Sequence, residues 1–461
     1  MQEFVFTPEL DGKAPLYEQI YRFVVEEIRA GRLAGGDALP SKRALSAHLG
    51  VSLSTVEGAY GLLTAEGYIQ SRPRSGYRVC PVAPLEAPSV PVPVLPAEEG
   101  EPSALDDCFS TSGVDVSLFP YTAWARLLRE AAREPELLRR GHPQGDYGLR
   151  SALCEFLRQY RGVVCSPAQV VVGAGMEYLL GVLFRLLPPA AAVALEDPGY
   201  RSAYRALEDL GRRAVPIPVD GAGLSAAALE ASGAACAYVT PSHQFPLGVT
   251  MPAARRSALL RWAHGGEGRW LIEDDYDSEF RYASRPIPAL QGLDGGQRVI
   301  YTGTFSRSLA PSIRAAYLIL PPPLLEEYRR RFLPGASTVS RYEQRVLERF
   351  LTSGQYGRHL RRVAGLYRQR RAALTAALAA VFPAGEVSGS DGGLHLLFTL
   401  PGRDERELTA AAAAAGFRLH GLGEYCRGPS PKPGTLVLGF AGLEAGRAMD
   451  AVETLGRAFS K

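Results

Sequence analysis

The chain has 461 residues, of which 46% are hydrophobic and 21% charged, and a formal net charge of +3. Those proportions exclude a disordered or collagen-like polymer, and the length suits two or three packed domains rather than one core. A charge so near zero excludes a polycation, so any nucleic-acid site has to be a local basic patch.

The six cysteines, Cys80, Cys108, Cys154, Cys165, Cys236 and Cys426, are scattered and form no CxxC pair. That usage fits free thiols in a reducing cytoplasm and gives no zinc site. The first residues, MQEFVFTPELDGK, carry early acids and no apolar run, so they do not read as a secretory signal. The most apolar long stretch, 170–195, is interrupted by Glu177, Arg185 and Pro188-Pro189, which rules it out as a membrane span. A cytoplasmic protein without a membrane partner is expected.

In chain order, Leu16, Ile20, Phe23, Val24 and Ile28 recur at helical spacing behind Pro15, whose missing N–H costs nothing at a helix start. Ser41 is placed to cap a second helix that carries Leu45 and Leu49 and ends at Gly50. Ser52 or Ser54 then caps a third helix with Val56, Tyr60 and Leu63 on its apolar face and Gly67 at its end. The runs 68–70 and 77–79 flank Ser71-Arg72-Pro73-Arg74-Ser75-Gly76, a hairpin with a basic tip. Two helices joined by a tight glycine turn and followed by such a wing suit DNA, with Lys42, Arg43, Arg72, Arg74 and Arg78 available to phosphates.

Residues 81–104 contain seven prolines and read as a semi-rigid spacer, which makes 1–80 a separate domain. Beyond it, short apolar runs at 169–172, 192–195, 237–239, 270–272 and 298–301 alternate with helical patterns at 149–160, 177–187 and 252–264. That alternation predicts a mostly parallel α/β sheet within 105–461. The last part, about 340–461, reads as a smaller α+β subdomain with helices over 341–380 and 404–415 and strands over 393–400 and 435–440.

Four of the runs lead into candidate binding segments, at strand carboxyl ends where open α/β sheets bind ligands. Gly173-Ala174-Gly175-Met176 opens a helix and offers backbone N–H groups to a phosphate. Glu196-Asp197-Pro198-Gly199-Tyr200 and Trp270-Leu271-Ile272-Glu273-Asp274-Asp275-Tyr276 each follow a buried run. Tyr301-Thr302-Gly303-Thr304-Phe305-Ser306-Arg307 leads on to Arg314.

The first part, LYEQIYRFVVEEIRAGRL, LPSKRALSAHLGVSLSTVEGAYGLLTAEGYIQ and the wing, resembles the GntR-type winged helix over nearly all of 13–80. The resemblance implies that Lys42, Arg43, Ser54, Thr55 and Tyr60 approach double-stranded DNA or support the reading helix. With Ser52, Arg72 and Arg74 they are the candidate DNA-binding residues. That family often has arginine directly after the GVS turn, where this chain has Leu53. Leucine cannot reach a phosphate or a guanine edge. Either the operator is unusual, or affinity rests more on Arg43 and the wing.

The later segments HPQGDYGLRSALCEFLRQYRGVVCSPAQVVVGAG, EDPGY, TPSHQFPLGVTMPAARR, LIEDDYDSEFRY, YTGTFSRSLAPSIRAAYLILP and LGFAGL are similar to the MocR-type regulators. In that GntR subgroup the effector domain is built like a fold-type-I aminotransferase that uses pyridoxal 5'-phosphate (PLP). The resemblance implies Tyr200 stacking on the PLP ring, Asp274 at its pyridine nitrogen and Tyr276 at its hydroxyl. It places Ser306 and Arg314 at the phosphate, beside the Gly175-Met176 backbone, with His243 and Gln244 at the pocket wall. It also implies a homodimer.

Two departures bear on chemistry. The family's GTFSK lysine carries PLP as a Schiff base, and here that position is Arg307. Arginine stays charged at ordinary pH, so it is neither a free-amine nucleophile nor a proton-shuttling base. No lysine lies within 273–314. The family's aminotransferase relatives also hold a substrate carboxylate with an arginine near the final strand, which here reads Thr435-Leu436-Val437-Leu438-Gly439. The expectation is therefore a transcription regulator, with no catalytic residue assigned, that senses a small-molecule effector, for which PLP or a PLP–amine adduct, held non-covalently by the named residues and Arg307, is the candidate. The alternative is a PLP-dependent aminotransferase with an accessory DNA-binding domain.

Overall fold

The structure is a computed structural model, and it describes residues 6, 14–73, 75–81, 107–282, 287–333 and 335–460. The chain divides into two compact units, 1–99 and 100–461. The expected spacer, 81–104, lies outside the described residues except for Pro81.

The first unit holds α1 (Leu16–Arg29), β1 (Ala38–Leu39), α2 (Lys42–Leu49), α3 (Leu53–Ala65), β2 (Ile69–Arg72) and β3 (Gly76–Val79). The strands form an antiparallel sheet in the order β1-β3-β2. Ser41 caps α2 by accepting from the Ala44 N–H, and Gly50 ends it in the left-handed region at φ 64°. Of the two candidate caps for α3, Ser52 takes the role, accepting from the Thr55 N–H at 3.2 Å. Ile20, Val24, Leu45, Val56, Leu63 and Val79 make its core.

The second unit begins with α4 (Tyr121–Ala131) and α5 (Tyr147–Arg161), then β4 (Val170–Gly173), α6 (Met176–Leu186), β5 (Val193–Asp197), α7 (Arg201–Asp209), β6 (Ala214–Asp220) and β7 (Gly223–Leu224). It continues with α8 (Ala226–Ala231), β8 (Cys236–Val239), α9 (Ala253–His264), β9 (Trp270–Asp275), α10 (Leu290–Asp294), β10 (Val299–Thr304), β11 (Ala316–Ile319) and α11 (Pro322–Phe332). Eight strands form one sheet in the order β4-β11-β10-β9-β8-β5-β6-β7. The run from β10 to β6 is parallel, while β11 and β7 are antiparallel to their neighbours.

Successive strand residues point to opposite faces, and both faces are covered by helices. Leu195, Tyr238 and Ile272 pack with Leu183 of α6 and Leu207 of α7, whereas Ala194, Ala237 and Leu271 pack with Leu259 and Trp262 of α9. Two covered faces explain why these strands read as continuous apolar runs.

The C-terminal part holds α12 (Arg341–Thr352), α13 (Gln355–Val381), β12 (Glu386–Ser388), β13 (His395–Thr399), α14 (Glu405–Ala414), β14 (His420–Gly421), β15 (Thr435–Gly439) and α15 (Ala448–Phe459). Its sheet is antiparallel in the order β12-β13-β15-β14. The single helix expected over 341–380 is two helices. Ser353 ends the first, and Gly354, at φ 70°, breaks the helical backbone before the second.

Candidate functional site

In the first unit, Arg43 and Arg72 are exposed, as are Ser52, Leu53 and Ser54 at the start of α3. The Ser52 hydroxyl lies 2.9 Å from that of Ser54 and 2.7 Å from that of Thr55, so the three form one cluster at the helix N-terminus. Two expected phosphate contacts are engaged within the domain. Lys42 pairs with Glu57 at 3.3 Å and sits over the Tyr77 ring, and Arg78 donates to the Gly36 carbonyl at 2.7 Å. Tyr60 is not on the surface. It is 1% exposed, packs edge-on against Tyr77 and donates to the Pro40 carbonyl at 2.9 Å, which ties α3 to the wing and to the α2 entry. Tyr60 is therefore corrected from a DNA contact to a support. Arg74 lies outside the described residues.

In the second unit, the parallel strands β5, β8, β9 and β10 bring their carboxyl ends to one edge, as strand geometry requires. There Tyr200, Asp274, Tyr276, Ser306, Arg307 and Arg314 line one cavity of about 170 Å³. Six residues from three sequence segments thus meet because their strands are neighbours in the sheet. Ser112, Met176, Thr240 and Phe245 also line the cavity; of these the sequence pointed to Met176 alone.

Asp274 is 5% exposed and held by two neighbours. The Tyr238 hydroxyl donates to Oδ2, and the Thr302 hydroxyl donates to Oδ1 at 3.1 Å. Burial pushes its carboxyl up to about 6, against the pull of those hydrogen bonds. Tyr238 and Thr302 were not singled out from the sequence. The available signal was register, since Thr302 is the cross-strand neighbour of Asp274. Beneath lies a buried ion pair between Arg161 and Asp275, also unforeseen, because Arg161 is distant in sequence and looks like a helix-end surface residue.

At the other end of the cavity, α6 begins at Met176, and its cap residue Gly175 has φ 95° and no side-chain cap. The first N–H groups of such a helix lack intrahelical partners. A Cβ on Gly175 would lie 2.3 Å from Arg314 Nη2, so the guanidinium packs directly on the turn. Arg314 also pairs with Glu177 at 2.7 Å, with both side chains about half exposed. Ser306 accepts from the Thr304 hydroxyl at 3.1 Å.

Arg307 follows β10, lines the cavity and donates to the Thr111 main-chain carbonyl. His243 is corrected. It is 3% exposed and does not line the cavity, because it sits behind Tyr276. Its Nδ1 lies 3.0 Å from the Tyr276 hydroxyl and 3.1 Å from Asp277 Oδ2, and the Gly393 main chain closes over it. Gln244 is likewise buried, donating to Glu196 and to the Pro198 and Phe245 carbonyls.

The arrangement offers a buried carboxylate, an aromatic face and a helix N-terminus with an arginine, spaced around one cavity. That set fits a planar, nitrogen-bearing ring with a phosphate at one end. Among the described residues, the cavity lining contains no lysine.

Residues 16–79 match the model of the gntR family of bacterial regulatory proteins, and 113–417 match that of aminotransferase class I and II. The chain is 33% identical to a probable rhizopine catabolism regulatory protein, MocR, of Rhizobium meliloti, over 97% of this chain and 94% of that one. It is 34% identical to the HTH-type pyridoxine biosynthesis transcriptional regulator PdxR of Corynebacterium glutamicum, over 92% and 91%. Among solved structures, the α-aminoadipate aminotransferase LysN of Thermus thermophilus, complexed with N-(5'-phosphopyridoxyl)-L-leucine, aligns at 26% identity and a TM-score of 0.67. That alignment covers 76% of this chain and 91% of LysN.

Proposed function

The chain belongs to the gntR family of bacterial regulatory proteins, in the MocR/PdxR type that joins a helix-turn-helix head to an aminotransferase class I domain, and on that premise we propose that its aminotransferase-like domain is a sensor rather than an enzyme. The effector is PLP or a PLP–amine adduct, held without a covalent bond. The observation that carries this reading is Arg307, which stands at the Schiff-base position and reaches the Thr111 carbonyl. A guanidinium cannot form the imine or exchange the protons that transamination needs.

In this reading, Tyr200 covers one face of the ring and Asp274 pairs with its nitrogen, as an anion above a pH of about 6. The N-terminus of α6, Ser306 and Arg314 take the phosphate. Tyr276, whose hydroxyl is held by His243, which in turn pairs with Asp277, faces the ring hydroxyl. When bound to a lysine, PLP supplies an electron sink; these residues only bind and orient it. The relatives' names support the B6 assignment, since PdxR is named for pyridoxine biosynthesis and LysN holds a phosphopyridoxyl amino acid. Two chains pair through their aminotransferase-like domains, which sets two heads on two half-sites of duplex DNA.

The test is visible absorbance of the purified full chain with added PLP, beside Arg307→Lys. The wild type is expected to bind PLP without a borohydride-fixable link, and the lysine variant to form one. A fixable link in the wild type sinks the non-covalent reading and favours the aminotransferase alternative. No binding by either protein sinks the B6 assignment itself.

A further inference from the structure

Two cations line the cavity, and they are not in the same state. Arg314 already has a carboxylate, Glu177, at 2.7 Å. Arg307 has no carboxylate partner among the described residues and donates to a neutral main-chain carbonyl, that of Thr111. A carboxylate adds Coulomb attraction and a second, parallel N–H···O bond to a guanidinium, neither of which a single neutral carbonyl supplies. The Thr111 carbonyl is therefore the weaker of two partners that Arg307 can take.

Thr111 belongs to a segment with a defined seat. Phe109 is 1% exposed, and its carbonyl accepts from the Gly439 N–H at 2.8 Å at the end of β15. A Cβ at Gly439 would lie 2.1 Å from the Ser110 carbonyl oxygen, so the segment lies flat on the strand. Ser112, one residue further on, lines the cavity. In sequence this stretch begins directly after 82–106, the residues that connect to the DNA-binding unit.

We propose that the effector carries a second anion besides its phosphate, a carboxylate, that Arg307 receives this carboxylate, and that the exchange releases Thr111 and loosens 107–113. The inference rests on the B6 reading above and narrows it to phosphopyridoxyl amino acids over phosphopyridoxyl amines. Arg307 is then the specificity residue of the site and the point at which ligand chemistry reaches the tether.

The experiment uses the full chain and a matched pair of stable adducts, N-(5'-phosphopyridoxyl)-L-alanine and N-(5'-phosphopyridoxyl)ethylamine, which differ only by the carboxylate. Affinity is read by calorimetry, and amide exchange is followed over 107–113. The wild type is expected to prefer the alanine adduct at least tenfold. R307Q should abolish the preference, and R307K, which keeps a point charge, should retain part of it. Exchange over 107–113 should rise with the alanine adduct and not with the ethylamine adduct. Equal affinities in the wild type, a preference that survives in R307Q, or exchange unmoved by the alanine adduct each overturn the proposal while leaving B6 sensing intact. If neither adduct binds, both the proposal and the B6 reading fall.

Discussion

Arg161 and Asp275 form an ion pair directly beneath the strand end that presents Asp274: Nε lies 2.7 Å from Oδ2, and the side chains are 4% and 1% exposed. Arg161 also donates to the Ser242 hydroxyl at 2.7 Å, and the Tyr301 hydroxyl donates to the same Oδ2. Removing one partner of such a pair strands the other charge in a low dielectric and costs about 3–5 kcal/mol. Asp275→Asn and Arg161→Met should therefore each lower the melting temperature of the aminotransferase-like domain by many degrees. The double variant Arg161→Met/Asp275→Asn should lose less than the sum of the single losses. Calorimetry of the full chain decides; strictly additive losses would mean the two side chains act independently.

In the head, Arg43 and Arg78 should separate by function. Arg43 is exposed at the start of α2, whereas Arg78 holds the Gly36 carbonyl at 2.7 Å and the Ser75 hydroxyl at 3.3 Å. Arg43→Ala should weaken DNA binding and reduce the salt slope by about one phosphate contact with the fold unchanged. Arg78→Ala should cost head stability as well, because a main-chain acceptor loses its partner. Binding isotherms at several salt concentrations, with thermal melts of the same variants, test this. An Arg43→Ala slope equal to the wild type's removes Arg43 from the phosphate set.

Much of this was legible because local chemistry and the global fold agree. The Ser41 and Gly50 punctuation of α2 is fixed by capping alone, and the buried runs at β5, β8, β9 and β10 show their covered faces through apolar continuity. The line of Tyr200, Asp274, Ser306 and Arg314 was readable from motif order, and strand adjacency then brought the four to one cavity. Sequence was blind where partners are distant. Nothing in residue 161 announces Asp275, nothing in 111 announces Arg307, and the depth of Tyr60 and His243 depends on what packs over them. The break at Gly354 was hidden because the heptad-like apolar pattern continues on both sides of it.

Glu177 stands in the first turn of α6, where it pairs with Arg314 at the turn assigned to the phosphate. A carboxylate there competes for the arginine and repels an incoming dianion. Both groups are about half exposed, so solvent screens the effect to about 0.5–1 kcal/mol. Glu177→Gln is therefore expected to tighten PLP binding about two- to fivefold, and Arg314→Gln to weaken it. The Glu177→Gln gain should shrink as salt is raised. A Glu177→Gln variant that binds PLP more weakly than wild type would place the phosphate elsewhere.

Glu196 lies behind the cavity with 2% exposure. Its Oε2 accepts from the Thr240 hydroxyl at 2.5 Å and from Gln244 at 3.2 Å, while Oε1 has no partner among the described residues. Burial raises its carboxyl from the ordinary 4.5 to about 7, with the hydrogen bonds pulling the other way. The consequence has a definite sign. Below about pH 4.5 the group is protonated in both folded and unfolded chains and costs nothing. Between about 4.5 and 7 the unfolded chain releases its proton while the folded one keeps it, so stability falls as pH rises, by about 1.4 kcal/mol per unit. Above pH 7 the loss levels off at roughly 3 kcal/mol. Glu273, raised to about 7, and Asp274, raised to about 6, both first by burial, slope in the same direction, so the wild-type curve alone does not isolate Glu196. Glu196→Gln keeps an acceptor for Thr240 and cannot ionise. Its melting temperature minus that of the wild type should be near zero or negative at pH 4.5 and should climb by several degrees by pH 8. A difference that stays constant across that range would mean that Glu196 does not titrate there and that its neighbours already stabilise the charge.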